Sequence, residues 1–207
     1  MTKAKFITFE GVDGAGKSTH LAWFADMLRK RGLKVLLTRE PGGTPLGEKL
    51  REILLRQPMH PETEAMLMFA ARREHLEQVI NPALNNGTWV ISDRFTDASF
   101  AYQGGGRGVA VEKLEQLESW VQGELQPDLT LLFDIPVEVA RQRLNNNVAQ
   151  THIALDKFEQ ETSEFFDKVR HAYLARSQKT PARFAVIRAE KTPEEVKARL
   201  QEILSSI

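Results

Sequence analysis

The stretch Phe6-Ile7-Thr8-Phe9-Glu10-Gly11-Val12-Asp13-Gly14-Ala15-Gly16-Lys17-Ser18-Thr19 decides how the rest of the chain is read. Phe6 to Phe9 is a short apolar run of the kind a buried strand makes, and Leu21, Phe24, Ala25 and Leu28 then recur at helical spacing. Between them, Gly11 to Ser18 fits the pattern GxxxxGK[ST]. Glycines at a strand-to-helix turn let backbone N–H groups approach an anion, and the positive end of the helix faces the same point. The stretch therefore predicts a polyphosphate site built from Gly11, Asp13, Gly14, Ala15, Gly16, Lys17, Ser18 and Thr19. Lys17 reaches the outer phosphates of ATP, and the Ser18 hydroxyl is a ligand for Mg2+.

Working outward, Lys34 to Thr38 predicts a second strand, which runs into the loop Arg39-Glu40-Pro41-Gly42-Gly43-Thr44. Leu46, Leu50, Ile53 and Leu54 mark a helix, and a long helical region follows from about Glu62 to Leu84, closed by Asn85-Asn86-Gly87. Trp89 to Asp93 and Leu129 to Asp134 read as the third and fourth strands, with a helix carrying Val111, Leu114, Leu117 and Val121 between them. Gly104-Gly105-Gly106-Arg107-Gly108 reads as a loop. A helix resumes near Val137, and the polar stretch from Leu144 to Lys157, with Asn145-Asn146-Asn147, reads as a surface flap. Phe158 restarts a helix, Phe184 to Ile187 makes a fifth strand, and Val196, Leu200, Ile203 and Leu204 define a closing helix.

Short apolar strands alternating with helices predict an α/β fold: a parallel sheet with helices on both faces. Ligands of such sheets bind beyond the carboxyl ends of the strands. Those ends carry the glycine-rich turn, the Arg39 loop, Asp93-Arg94 and Asp134, so the polar candidates converge on one rim.

The chain has 207 residues, 42% of them hydrophobic, which is enough for a single domain spanning 1–207 with a full core. Lys plus Arg and Asp plus Glu number 28 each, so no global field favours nucleic acid or an anionic membrane. The absence of cysteine excludes a disulfide framework, a thiolate nucleophile and a cysteine-based zinc site. No run is long and apolar enough to span a bilayer, and no signal-peptide core follows Met1, so the expected compartment is the cytoplasm.

Four local patterns together resemble the thymidylate kinases, of the bacterial type with glycine where the phosphate loop otherwise carries a basic residue. They are Phe9 to Thr19, Thr38 to Thr44, Asp93-Arg94-Phe95, and Ala101-Tyr102-Gln103-Gly104-Gly105-Gly106-Arg107-Gly108. Their order covers the chain from residue 6 to about 134, with Pro127-Asp128-Leu129-Thr130 also in place. The resemblance implies a three-layer P-loop NTPase fold of the nucleoside monophosphate kinase type, with a five-stranded parallel sheet. It also implies phosphoryl transfer from ATP to dTMP with Mg2+, and a homodimer.

By the same resemblance Arg39 and Arg94 hold the acceptor phosphate, and Lys17, Arg39, Arg94 and Asp93 are the catalytic group. Ser18 and Asp93 position the metal. Phe69 stacks on thymine and Arg72 donates to its carbonyl oxygen, with Arg73 as the alternative reader. Asp13 accepts from the sugar, Tyr102 crowds a 2′-hydroxyl, and Ser99 and Gln103 line the base pocket. Glu40 orients Arg39 or contacts the sugar side. The acceptor phosphate has a second pKa of about 6, so its oxygen is already ionised and no histidine base is required.

The chain departs from the family pattern at the flap, where 144–157 contains no arginine. Arg141, Arg143 or Lys157, which flank it, are the candidates for the missing charge on ATP. Ile187-Arg188-Ala189 also lacks the acidic residue often found near adenine. Two other readings remain open: a kinase for uridine or cytidine monophosphate, and a nucleotide-operated switch. Against the switch, the chain has no NKxD element, and Asp93 is followed by Arg94-Phe95-Thr96.

Overall fold

In the computed structural model, which describes residues 3–151 and 154–207, five strands form one wholly parallel sheet in the order β2-β3-β1-β4-β5. The strands are β1 (Phe6–Glu10), β2 (Val35–Arg39), β3 (Trp89–Asp93), β4 (Leu129–Asp134) and β5 (Phe184–Arg188). Every residue of β1 is buried, as expected for a central strand whose neighbours on both sides are parallel. Register brings the functional ends level: Arg39 lies opposite Asp93, and Asp93 opposite Phe9. A strand that ends one residue early would move its terminal side chain off this rim.

Helices α1 (Lys17–Lys30), α2 (Pro45–Arg56), α3 (Pro61–His75), α4 (Asn81–Asn85), α5 (Thr96–Ser99), α6 (Val111–Gln122), α7 (Val137–Thr151), α8 (Ser163–Lys179) and α9 (Pro193–Ser205) surround the sheet. Phe9, Phe24 and Phe133 pack together in the larger core, on which α1, α8 and α9 close. A second core joins Phe6, Phe69, Leu76, Phe95 and Leu114 beneath α3 and α6. The long helix is continuous in path but changes winding, because a π-helical turn, Leu76–Ile80, links α3 to α4.

Three expectations fail locally. The glycine run is a loop only at Arg107-Gly108, since Gly104–Gly106 closes the π-helical segment Phe100–Gly106. Its glycines serve close approach: a β-carbon at Gly105 would lie 2.6 Å from the Ala172 β-carbon and 2.9 Å from the Lys168 carbonyl oxygen of α8. The expected flap is helical as far as Thr151, because Asn145-Asn146-Asn147 lacks a glycine or proline to stop α7 and Leu144 anchors its inner face. The remainder, 154–157, is irregular; residues 152 and 153 of the expected flap lie outside the described residues. Phe158 does not restart a helix. It sits in a turn, and α8 begins at Ser163 behind the Thr162 cap, whose hydroxyl accepts from the Phe165 N–H.

Candidate active site

The phosphate loop leaves β1 at Glu10 and enters α1 at Lys17, with Gly16 in the left-handed conformation as its N-cap. Ser18 and Thr19 follow on the exposed side of the first turn. The Lys17 ammonium folds back over the loop and donates to the carbonyls of Gly11 and Val12, at 3.0 and 3.1 Å. Burial, reinforced by the nearby Arg94 charge, pulls its pKa down to about 8. Gly14 has φ +80°, and a β-carbon there would come within 2.3 Å of the Ala140 carbonyl oxygen of α7. The absence of a basic residue at this position is therefore steric: α7 occupies the space its stem would need.

Arg94 is the junction of the site. It follows β3 with φ +70°, the single non-glycine residue in that region among the described residues. Its guanidinium donates to the Gly11 carbonyl (2.9 Å), the Asp13 carboxylate (2.6 Å), and the hydroxyls of Tyr173 and Tyr102 (3.0 Å each). Tyr102 donates in turn to the other Asp13 oxygen at 2.7 Å. Burial works against the Asp13 charge, yet Arg94 and Lys17 outweigh it and hold the carboxyl below its usual range. Beneath this knot Glu10 accepts from the Phe95 N–H and the Tyr173 hydroxyl, both at 2.7 Å. Its burial, with the Asp97 charge adding to it, pushes its pKa up to about 8.

Beside the phosphate loop opens a cleft with an empty volume of about 580 Å³. Asp13, Arg94 and Arg51 form its charged mouth, while Leu55, Met68, Phe95, Ala98 and Phe158 form apolar walls. At its inner end Arg72, 2% exposed, donates from Nε to Glu40 at 2.7 Å and from Nη2 to the Ser99 hydroxyl at 3.1 Å. Its Nη1 is buried with no partner. An unpaired, buried guanidinium nitrogen at the end of this cleft calls for an acceptor from a ligand. The shape of the demand is a flat apolar group with one carbonyl oxygen at one end and an anion at the other.

A neighbouring cavity is lined by Ser18, Asp93 and Arg39 together. Asp93 Oδ1 is buried without a hydrogen-bond partner, so an oxygen-donor pair faces a space fit for a hard cation.

The profile of the family described as "Thymidylate kinase" matches residues 9–200 of this sequence. The chain belongs to the thymidylate kinase family. Thymidylate kinases from Nitrosomonas europaea and Cupriavidus taiwanensis are 61% and 60% identical to it. Each alignment covers 99% of this chain, with 94% and 100% of the relative. The crystal structure of thymidylate kinase from Ehrlichia chaffeensis superposes with a TM-score of 0.77 at 32% identity, covering 97% of this chain and 98% of the other.

Set against the thymidylate kinase resemblance, the structure gathers Asp13, Arg94, Arg72, Ser99, Tyr102 and Gln103 into the one cleft. Arg73 does not line this cleft: it is exposed and pairs with Glu77 of the following π-helical turn at 2.9 Å. Glu40 orients Arg72, whereas Arg39 is paired with Glu48 at the surface, 2.8 Å away. Phe69 departs from expectation. It is buried, with the Arg72 guanidinium 4.5 Å above its ring, and its neighbour Met68 lines the cleft in its place.

Of the flap candidates, Arg141 donates to the Glu161 carbonyl and stands over Phe166. Lys157 donates to Glu64 at 2.8 Å, on the acceptor side. Arg143 alone of the three overlooks the phosphate loop, its Nη1 3.6 Å from where a β-carbon would stand at Gly16. Motif reading missed Arg51 because it lies inside α2 with no signature. Its signal was helical spacing: Leu54 is buried, Leu55 lines the cleft, and Arg51 lies one turn before Leu55.

Proposed function

We propose that this protein transfers the terminal phosphoryl group of ATP to dTMP, giving dTDP and ADP. The observation that carries the reading is the Arg94–Asp13 pair, which belongs at once to the phosphate loop and to the cleft. Two anions must meet for this reaction, and a shared cation at the seam lowers the cost of bringing them together.

In this reading the triphosphate lies on the amides of Gly11, Gly14, Ala15, Gly16, Lys17, Ser18 and Thr19. Arg143 supplies the lid charge that Gly14 does not, with Arg141 behind it as support. Ser18 and Asp93 would hold Mg2+, which when bound would offset the negative charge of the triphosphate. Arg94 and Arg51 grip the acceptor phosphate, and Arg39 joins them by exchanging its surface partner Glu48. Lys17 reaches the transferred group by giving up the loop carbonyls. The acceptor oxygen needs no base, so alignment and charge stabilisation carry the chemistry.

The thymine ring fills the apolar slot between Met68, Phe95 and Phe158, and its carbonyl oxygen takes the free Arg72 Nη1. Phe69 acts from behind by supporting Arg72. Cytosine would set its amino group against that guanidinium, donor against donor, which polar sites reject strongly. Ser99 and Gln103 complete the base pocket. Tyr102, tied to Asp13, stands against a 2′-hydroxyl, and Asp13 accepts from the sugar.

We read residues 1–207 as one catalytic domain acting in the cytoplasm, where ATP is the common donor. No helix among the described residues is long and apolar enough to cross a membrane. The homodimer expected of the family would cover Met66 on α3 and Val111 and Trp120 on α6, which are 53%, 48% and 84% exposed. The deciding experiment is a coupled assay over dTMP, dUMP, UMP, CMP and dCMP with ATP and Mg2+. The reading requires dTMP to give the highest kcat/KM; faster turnover of UMP or CMP overturns it.

A further inference from the structure

The fully buried imidazole of His75 lies outside the cleft, in the second layer behind Glu40 and Arg72. His75 Nδ1 lies 3.0 Å from Glu40 Oε1, and Nε2 lies 2.6 Å from the Thr38 hydroxyl at the end of β2. Glu40 Oε2 accepts from Arg72 Nε at 2.7 Å, and Arg72 Nη2 reaches Ser99 at 3.1 Å. One polar chain thus runs Thr38, His75, Glu40, Arg72, Ser99, with the first four members contributed by β2, its following loop and α3.

The direction of this chain is fixed by chemistry. Both hydrogen bonds of the Glu40 carboxylate are received, so His75 carries its hydrogen on Nδ1 and donates it. With each carboxylate oxygen held by a different donor, the Glu40 plane cannot rotate. Arg72 then has Nε and Nη2 committed, and its fork geometry leaves Nη1 in one orientation. Without His75, one oxygen of a carboxylate that is 5% exposed would lose its donor. Glu40 would turn toward another donor, and Arg72, bonded to it, would follow.

We infer that His75 is a positioning residue for substrate selection: it locks Glu40, which aims the base-reading nitrogen of Arg72. The inference rests on the proposed base-reading role of Arg72. Because Thr38 adjoins Arg39, the same imidazole ties the base end of the cleft to the end of β2 that carries Arg39.

The test compares dTMP with dCMP in steady-state kinetics for H75L, H75N and R72A, with urea unfolding as the check on folding. H75L is expected to raise KM for dTMP and to shrink the dTMP over dCMP preference about tenfold, with KM for ATP unchanged. H75N keeps an N–H at the Nδ1 position and is expected to recover most of the preference. A merely structural histidine would alter stability while leaving the preference intact. If H75L does not fold, H75N and T38V carry the test: H75N retains the preference, and T38V, which loosens the far end of the imidazole, lowers it. Unchanged discrimination in folded H75L, or loss in H75N as deep as in H75L, overturns the inference. If neither variant of the fallback behaves as stated, it is overturned as well. R72A separates the two claims: preserved discrimination there removes the base-reading role itself, whereas loss in R72A alone removes only the role of His75.

Discussion

Arg94 donates to Asp13 across 2.6 Å, and the pair forms the seam between the phosphate loop and the acceptor cleft. The partly buried guanidinium springs from a left-handed backbone and is bonded to Gly11, Tyr102 and Tyr173 as well, so its position is set before substrate arrives. Replacing Arg94 by Ala is expected to lower kcat by roughly two to three orders of magnitude. Lysine should rescue little, since a single ammonium cannot span the same four partners. Steady-state rates with saturating ATP and dTMP measure both effects.

Met68 and Phe69 are neighbours in sequence with opposite duties. Phe69→Ala should destabilise the fold by about 3–5 kcal/mol, because it removes a ring from the second core and the platform under Arg72. Met68→Ala should cost little stability and raise KM for dTMP several-fold. Urea midpoints together with dTMP saturation curves separate the two, and a large KM effect with intact stability at Phe69 would reverse the assignment.

Restoring a basic residue to the phosphate loop should harm this protein. Gly14→Arg sets a β-carbon against the Ala140 carbonyl at a positive φ, so we expect a lower melting temperature and weaker ATP binding. Arg143→Ala should raise KM for ATP about tenfold and leave KM for dTMP near its original value. Improved ATP binding in Gly14→Arg would show that α7 yields more easily than the close approach implies.

Lys17 gives a pH signature. Its pKa, lowered to about 8 by burial, means that the free enzyme loses the Lys17 charge as pH rises through that value. The plot of kcat/KM for ATP should therefore fall above about pH 8, since that ratio reports the free enzyme. In kcat the fall should move to higher pH, because a bound triphosphate favours the ammonium.

Glu10 predicts a stability profile of the other kind. Its folded pKa, raised from 4.5 to about 8, exceeds the unfolded value, so the native state binds the extra proton in that interval. The stability linked to Glu10 is full below about pH 4.5 and is lost as pH rises through 8. Glu10→Gln, which mimics the protonated form, should flatten that part of the curve in urea titrations at pH 5, 6.5 and 8.

The strand, glycine turn and helix at the amino end were legible because a local pattern and its flanks agree on one geometry. The same holds for Asp93-Arg94, which the parallel register sets level with Arg39 and Phe9. Face assignment within α3 was harder. Adjacent residues on a helix differ by about 100° in direction, so Met68 and Phe69 exchange roles with a small rotation that no spacing rule resolves. Glycine has two uses, turning a chain and admitting a neighbour, and Gly105 and Gly106 serve the second against α8, as Gly104 does against Leu114 of α6. Arg51 was hard to see for a third reason: it reaches the cleft from α2, with only its helical spacing from Leu55 to mark it and no motif at a strand end.

Lys17 is bonded to the carbonyls of Gly11 and Val12, and Arg94 to Asp13 and Gly11, so each cation already has satisfied internal contacts. Anion capture here is consequently an exchange of partners, and its yield is a difference between old bonds and new ones. A lone inorganic phosphate displaces one or two of these contacts and gains little. A nucleotide that replaces several at once, with its base also lodged, gains enough to stay, which protects the centre from the small anions that crowd any cell.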